Sequence, residues 1–217
     1  MFEIVESHHA HLPELARCYI SAFPRSLTSA MGKQYVIKVL SWFLDVPGNF
    51  LFHIRKVPEN RIVGFCGGLI NDGVTKRGSA SEMIQFAFWV GVRALIFRPW
   101  LLFHTEMRNK YGLAIKNVRR KLLGHKGKRT YSPGRIKQPY TGLVVIGIHR
   151  SFQNLGLGRL LLNGFEEWTL KTGYTSMRLS VKRDNIQAIK AYQKAGWMVM
   201  EERNDSVSMV KMINNKG

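Results

Sequence analysis

The residues best suited to chemistry lie at a glycine-containing junction between a hydrophobic strand and a helix. The strand VVIGI is followed by Gln153-Asn154-Leu155-Gly156-Leu157-Gly158, where a helical pattern begins. Free amides at a helix N-terminus, together with the helix dipole, favour an anion such as phosphate. Gly156 and Gly158 carry no side chain, so the pattern predicts a pyrophosphate touching backbone. The third glycine of a dinucleotide fingerprint is missing, and so is a Walker-type Gly-Lys-Ser/Thr.

Two motifs resemble the GNAT family of acyl-CoA-dependent N-acetyltransferases. The junction matches the family's acetyl-CoA signature, Q/R-x-x-G-x-G/A, after a hydrophobic strand. The segment LSVKRDNIQAIKAYQKAGW resembles the family's next block, L-x-V-x-x-x-N-x-x-A-I-x-x-Y-x-K-x-G-F. The matching positions are Leu179, Val181, Asn185, Ala188, Ile189, Tyr192, Lys194 and Gly196, with Trp197 in place of Phe. Residues 143–197 therefore carry the specific part of the resemblance.

The resemblance implies acetyl-CoA as acyl donor and no metal. Amides from Asn154 to Arg159 would bind the pyrophosphate, and the main chain from Ile146 to Ile148 would pair with the pantetheine arm. Asn185 would contact the cofactor, and Tyr192 would protonate the departing thiolate. The implied cofactor-binding residues are Ile146, Gly147, Ile148, Gln153, Asn154, Leu155, Gly156, Leu157, Gly158, Arg159, Asn185 and Tyr192.

The general base is less well defined. Direct transfer needs a neutral amine, but the strand Leu143–Ile148 contains no carboxylate, although many relatives place a Glu there. His149 follows this strand, and its ordinary pKa of about 6.5 suits a base, so it is the second predicted catalytic residue. Glu82, Asp72, Glu106 and a water chain to bulk solvent are alternatives.

Hydrophobic patterning predicts one domain over residues 1–217. With residues 73–137 set aside, the order is strand, two helices, three strands, helix, strand, helix and two strands. The second helix is expected to run continuously over residues 26–44. This order resembles the GNAT fold, so we expect an α+β (mixed α/β) domain with a central twisted, mixed, mostly antiparallel sheet flanked by helices.

Residues 73–137 read as a basic, mostly helical insertion ending in a basic Gly/Pro loop. They hold fifteen Lys and Arg against Glu82 and Glu106, and so contribute +13 to the chain's net charge of +19. Such an excess favours polyanionic partners: an anionic membrane, a phosphorylated ligand or nucleic acid. We expect the insertion to cover or dock the acceptor.

A long apolar run inside the insertion raises the question of a membrane. Arg93, Arg98 and Pro99 argue against a span, because mid-bilayer arginine is costly and proline breaks helices. Interfacial binding through residues 83–137 is one expectation; packing on the domain or on a homodimer partner is the other. The apolar residues concerned are Phe86, Phe88, Trp89, Ile96, Phe97, Trp100, Leu101 and Leu102. Nucleic acid is less favoured, because no helix-turn-helix or zinc pattern is present.

The functional expectation is an N-acetyltransferase that moves an acetyl group from acetyl-CoA to a primary amine of a small molecule. AFPRSLTSAMGKQY loosely resembles acetyltransferases of bacterial surface-polysaccharide synthesis, which favours an amino sugar on a nucleotide or lipid carrier. Alternatives are protein or peptide amines, and a non-catalytic acyl-CoA-binding protein that docks membrane or nucleic acid. Cys18 and Cys66 fit packed thiols in a reducing compartment, with a reactive thiol as the alternative. We expect a cytoplasmic protein, peripheral to the inner face of the membrane.

Overall fold

The structure is a computed structural model that describes residues 1–73, 80–108 and 138–213. The basic Gly/Pro loop predicted at the end of the insertion lies outside the described residues, as does most of the insertion's positive charge.

A seven-stranded sheet forms the centre of the described structure. Its strands lie in the order β1-β2-β3-β4-β5-β7-β6. Every neighbouring pair is antiparallel except β4 and β5, which run parallel. The strands are β1 (Phe2–Glu6), β2 (Asn49–Lys56), β3 (Arg61–Asn71), β4 (Tyr140–Ile148), β5 (Ser176–Lys182), β6 (Met198–Glu202) and β7 (Ser206–Met212). The mixed, mostly antiparallel sheet predicted from sequence is confirmed.

Helices cover both faces of this sheet. The described helices are α1 (Leu12–Ala22), α2 (Leu27–Ala30), α3 (Lys33–Asp45), α4 (Ala80–Phe86), α5 (Phe88–Phe97), α6 (Thr105–Arg108), α7 (Leu157–Lys171) and α8 (Ile186–Lys194). Single 3₁₀ turns span His9–His11, Pro99–Phe103 and Arg150–Phe152. One core lies between the sheet and α1 and α3, and the other between the sheet and α7 and α8. The nearly continuous apolar sequence of β3 follows from its burial on both faces.

The continuous helix predicted over residues 26–44 is wrong. The chain forms α2, breaks, and restarts as α3, because Gly32 adopts φ +96°. The Gly32 amide donates to the Ser29 carbonyl oxygen at 3.0 Å, which ends α2. The guanidinium of Arg98 lies 2.7 Å from where a Gly32 side chain would begin, so this turn also seats the insertion.

The described part of the insertion is helical and rests on α3. Ala87 is fully buried and packs with Tyr35 and Val39 of α3. α5 ends at Phe97, and Pro99 opens the next 3₁₀ turn, in agreement with proline as a helix breaker. Among the helices described, none has the length and apolar character needed to cross a bilayer.

Candidate active site

The loop between β4 and α7 turns through two residues with left-handed backbone. Asn154 has φ 64° and Gly156 has φ 75°. Gly156 is the N-cap of α7 and offers no side chain to the helix amides. The amides of residues 154–158 donate to no described group, and residues 153–156 are exposed. The first turn of α7 therefore presents unpaired N–H groups to solvent, as a phosphate site requires.

Space for a ligand exists directly over these amides. A Cβ placed on Gly156 or Gly158 would meet no atom within 4 Å. Arg150 and Arg159 are exposed on either side of the loop and add positive charge. The loop that the sequence predicts as a pyrophosphate site is thus open, basic and lined by backbone.

Gln153 links the loop to the preceding strand. Its Nε2 donates to the carbonyl oxygen of Ile148 at 3.3 Å. The side chain therefore fixes where the loop leaves β4, which is a positioning contact. Its predicted contact with the cofactor stays a prediction.

Strands β4 and β5 diverge immediately beside this loop. They pair only over Thr141–Leu143 with Met177–Leu179, whereas β3 continues to pair with β4 as far as Ile148. A bulge interrupts β4 at Val144, just beyond the last β5 pair. One edge of residues 144–148 therefore has no strand partner among the described residues, and an extended ligand can pair there as an added strand. This edge includes the predicted pantetheine-binding segment Ile146–Ile148.

Tyr192 lies on α8, facing the core beneath the divergent strands. Burial, with Cys66 adding a smaller effect, raises the pKa of Tyr192 to about 12. Its ring centroid is 6.1 Å from that of Trp197. Among the described residues, none hydrogen-bonds to the hydroxyl. Tyr192 is therefore a neutral phenol whose donor is available to a ligand.

Asn185 is the N-cap of α8. Its Oδ1 accepts a hydrogen bond from the Ala188 amide at 3.2 Å, which explains an asparagine here in terms of helix capping. Its side-chain amide nitrogen donates to no described group, so a cofactor contact through that atom stays a prediction.

His149 lies at the end of β4, well beyond the point of divergence. Its Nδ1 accepts from the Ser151 amide at 3.3 Å, and Nε2 lies 3.1 Å from the Arg61 guanidinium. Partial burial and the nearby Arg61 charge lower the pKa of His149. A neutral imidazole has one acceptor nitrogen, so the tautomer that accepts from Ser151 places its Nε2–H beside the Arg61 guanidinium. The positive charge of Arg61 disfavours proton uptake. The role of general base predicted for His149 stays a prediction.

The described residues also bring together polar side chains from distant segments, near the end of β5. Glu106 of the insertion contacts the Leu27 amide at 3.0 Å and the Lys182 ammonium at 2.6 Å. Tyr19 lies nearby, and burial raises its pKa, opposed by hydrogen bonds from Thr28 and Ser26. Glu106 was a loose base candidate, but Lys182 and Tyr19 were missed, since no local pattern marks them. Within the described ranges, no three His, Cys, Asp or Glu side chains group as metal ligands.

Both cysteines are free, buried thiols. Burial raises the pKa of Cys18 to about 12 and that of Cys66 well above its usual value. Since the thiolate is the reactive form, this geometry supports packed thiols over a reactive cysteine.

An exposed amide turn beside two diverging strands suits a ligand that carries a phosphate group and an extended arm. The sequence model described as the acetyltransferase (GNAT) family matches residues 12–197, and the chain belongs to that family. It is accordingly an acyl-CoA-dependent N-acetyltransferase, with a fold that binds acetyl-CoA.

Solved structures show the same fold. The ribosomal-protein-S18-alanine N-acetyltransferase of Escherichia coli is 15% identical, with a TM-score of 0.58 over 100% of this chain and 97% of that chain. The PaiA N-acetyltransferase of Thermoplasma acidophilum, in complex with coenzyme A, is 12% identical, with a TM-score of 0.57 over 98% and 99%. A GNAT-family acetyltransferase of Streptococcus pneumoniae is 16% identical, with a TM-score of 0.56 over 99% and 100%. A search of curated proteins finds no match.

Proposed function

We propose that the protein transfers the acetyl group of acetyl-CoA to a primary amine by direct attack on the thioester. The observation that carries this proposal is the exposed amide turn of residues 154–158 beside the unpaired edge of β4. The pyrophosphate would bind at the turn, and the pantetheine arm would pair with Ile146–Ile148. The thioester would then lie near the bulge at Val144.

Catalysis in this arrangement depends mainly on position and on oriented donors. The amine nitrogen forms a bond to the carbonyl carbon, the carbon–sulfur bond breaks, and the departing thiolate takes up a proton. Negative charge develops on the carbonyl oxygen, and a main-chain amide freed by the β4 bulge would stabilise it. The proton lost by the amine passes to a base or to water.

The raised pKa of Tyr192 defines what this side chain can contribute. A phenol of pKa about 12 stays protonated and donates a hydrogen bond to the leaving sulfur. Complete transfer to a thiolate whose thiol has a pKa of about 8.5 is unfavourable by roughly 3 units. We therefore propose that Tyr192 stabilises the thiolate as a donor, with solvent supplying the final proton.

His149 is a weaker general base for the amine proton than its ordinary pKa indicates. The Ser151 amide donates to its Nδ1 at the loop end of β4, and the Arg61 guanidinium beside its Nε2 disfavours protonation. In our proposal, water carries this proton away and His149 holds the loop.

The proposed acceptor is an amino sugar on a nucleotide or lipid carrier. Glu106, placed between α2 and β5, offers a carboxylate to the acceptor's ammonium group, where the Lys182 ammonium now lies. The basic insertion would favour the phosphates of such a carrier. Two free buried thiols fit a cytoplasmic location.

Thiol release from acetyl-CoA tests the proposal. The panel should contain nucleotide-linked amino sugars, a lipid-linked amino sugar, N-terminal peptides and polyamines, with product masses measured. We expect an acetylated carrier-linked amino sugar and little polyamine product, since the positive surface repels polyamines. Tight acetyl-CoA binding without thiol release for any class would support the non-catalytic alternative instead.

A further inference from the structure

The outward side of α5 and the turn after it form an exposed aromatic surface. We propose that this surface binds an anionic lipid bilayer. We define the aromatic face as Trp89, Ile96, Phe97, Trp100 and Phe103.

The opposite side of α5 is fixed against the domain. Ala87 is fully buried, and Val90 packs beside it on the cluster formed with Tyr35. A side chain on Gly91 would begin 3.1 Å from the Tyr35 ring, so the two helices approach closely here. This packing determines which side of α5 faces outward, and the aromatic face therefore cannot turn inward without unpacking α3.

The aromatic face exposes large apolar side chains at helical spacing. Trp89, Ile96 and Phe97 are 64%, 70% and 69% exposed. Trp100 and Phe103, in the following turn, are 63% and 80% exposed. Together they present on the order of 700 Å² of mostly apolar surface, more than the largest patch of an ordinary monomer. A helix that is apolar on both sides needs a second apolar environment.

Arginines accompany these rings. The Arg93 guanidinium lies 5.8 Å from the Phe97 ring centroid and is exposed. Arg98 is also exposed, and its Nη1 donates to the Ala30 carbonyl oxygen at 2.8 Å, which anchors the turn. Tryptophan, phenylalanine and arginine on one surface are the composition of interfacial membrane helices.

The positive charge of the chain favours an anionic bilayer over a second copy of this chain as the partner of the aromatic face. The chain carries a formal charge of +19, so pairing two copies through an arginine-containing face is repulsive. An anionic leaflet attracts the same charge. Of the two acidic residues in the described insertion, Glu106 contacts Leu27 and Lys182 of the domain. The aromatic face is thus apolar and has the exposed Arg93 beside it, as binding to an anionic membrane requires.

The membrane contact has a consequence for the acceptor. Glu106 lies three residues after Phe103 and contacts the end of β5. Docking would therefore bring the divergent strands close to the lipid surface, which favours a lipid-carried acceptor over a nucleotide-linked one. This last step rests on the proposed function, whereas the membrane contact does not.

Vesicle flotation of the full chain tests the inference. Vesicles would contain phosphatidylcholine with 30% phosphatidylglycerol, or phosphatidylcholine alone, at about 50 mM and 300 mM salt. We expect flotation with the anionic vesicles at low salt and much less with neutral ones. The triple variant Trp89→Ser/Phe97→Ser/Trp100→Ser should lose about tenfold or more of the binding. The variant Met198→Ser/Met200→Ser, which removes exposed apolar side chains of β6, should bind as the parent does.

Three outcomes would overturn the inference. The first is a parent protein that stays unbound with anionic vesicles at low salt. The second is a triple variant that floats as well as the parent, which would assign binding to other basic residues. The third is a dimer, detected by ultracentrifugation, that the triple variant abolishes. Acetylation of a water-soluble amine in the parent and the triple variant separates these failures from failure of the proposed function, because the aromatic face is outside the cofactor site.

Discussion

The carboxylate of Glu106 and the ammonium of Lys182 lie 2.6 Å apart, although 76 residues separate them in the chain. The same carboxylate accepts a hydrogen bond from the Leu27 amide, so α6 joins α2 to the last residue of β5. The contact thus ties the insertion to one of the two strands that diverge beside the cofactor loop. In the proposed function, this arrangement makes Glu106 a candidate contact for the acceptor.

Replacing this carboxylate should affect acceptor use more than stability. Glu106→Gln removes one charge of a partly exposed ion pair, which contributes about 1 kcal/mol or less to the free energy of unfolding. We expect kcat/KM for the amine to fall about tenfold, with the dissociation constant for acetyl-CoA unchanged. Glu59→Gln, which breaks the exposed Lys56–Glu59 pair, is the matched control. Equal kinetics in the two variants would remove Glu106 from the acceptor site.

Glycine replacements at the two ends of α7 separate ligand contact from backbone strain. Gly156 and Gly173 have φ +75° and +81°, and neither has an atom within 4 Å of its Cβ position. Alanine at either position should lower the free energy of unfolding by about 1 to 2 kcal/mol. Only Gly156→Ala should also weaken acetyl-CoA binding, by about tenfold or more. Titration calorimetry with thermal unfolding measures both. Comparable cofactor affinity in both variants would contradict a phosphate site at Gly156.

Gly158→Val provides a second test of the same loop without left-handed strain. Gly158 lies in the first turn of α7, with open space around its Cβ position. Valine should leave the melting temperature close to that of the parent, while its side chain occupies the space of the pyrophosphate. We expect at least a tenfold rise in KM for acetyl-CoA. A normal KM with normal stability would show that the diphosphate binds elsewhere.

These loop effects could be anticipated from sequence because the loop is local. Its glycines, the strand before it and the helix after it lie within about twenty consecutive residues, and the structure assembles them as the pattern indicates. The Glu106–Lys182 contact joins distant segments and could not be read from spacing. The break at Gly32 was missed because one glycine within a good helical pattern is compatible with either outcome.

The insertion shows a different limit of sequence reasoning. An apolar helix has no polar stripe to indicate which side faces inward. The sequence analysis therefore grouped Leu101 with Trp89 as candidates for membrane contact, whereas Leu101 is only 3% exposed. Phe103, which was not included, is 80% exposed. Phe86 is only partly buried, with the Lys38 ammonium 3.8 Å from its ring centroid. One side of α5 packs on the domain as expected and the other side is exposed, whereas membrane binding stays a prediction.

Tyr192→Phe should reduce turnover without weakening cofactor binding. The hydroxyl is the only group removed, and in the proposed mechanism it donates to the leaving sulfur. We therefore expect kcat to fall by up to about a hundredfold while the dissociation constant for acetyl-CoA stays constant. Because the pKa of Tyr192 is about 12, the parent should show no loss of kcat from tyrosine ionisation below about pH 10. Stopped-flow detection of thiol release over pH 6 to 10 measures both effects. An unchanged kcat would assign Tyr192 to packing alone.

His149→Gln distinguishes a general base from a loop contact. If His149 holds the loop by accepting from the Ser151 amide, the variant should raise KM for acetyl-CoA severalfold and leave the shape of the kcat pH profile unchanged. If His149 is the general base, kcat of the parent should fall at pH values below the pKa of His149. This acidic limb should disappear in the variant. Parallel pH profiles at saturating acetyl-CoA decide between them. Loss of the acidic limb would restore His149 as the base.

Buried His53 should make stability sensitive to acid. Its side chain is fully buried, its Nδ1 lies 2.9 Å from Ser7 Oγ, and Nε2 has no hydrogen-bond partner among the described residues. Burial, with smaller effects from His11, Arg55 and His8, lowers the pKa of His53 from 6.5 to about 4. The unfolded chain therefore binds more protons between these values, so the contribution is complete above about pH 6.5 and is lost as the pH falls towards 4.

The expected loss between pH 7 and pH 4.5 is about 2 kcal/mol of unfolding free energy, measured by urea denaturation. Replacing both partners, as Ser7→Ala/His53→Leu, should flatten this dependence, since no buried imidazole remains to be protonated. His9→Gln is the control, because His9 pairs with Asp45 at the surface and its loss leaves the buried site intact. If the double variant keeps the full pH dependence, other groups cause the acid sensitivity.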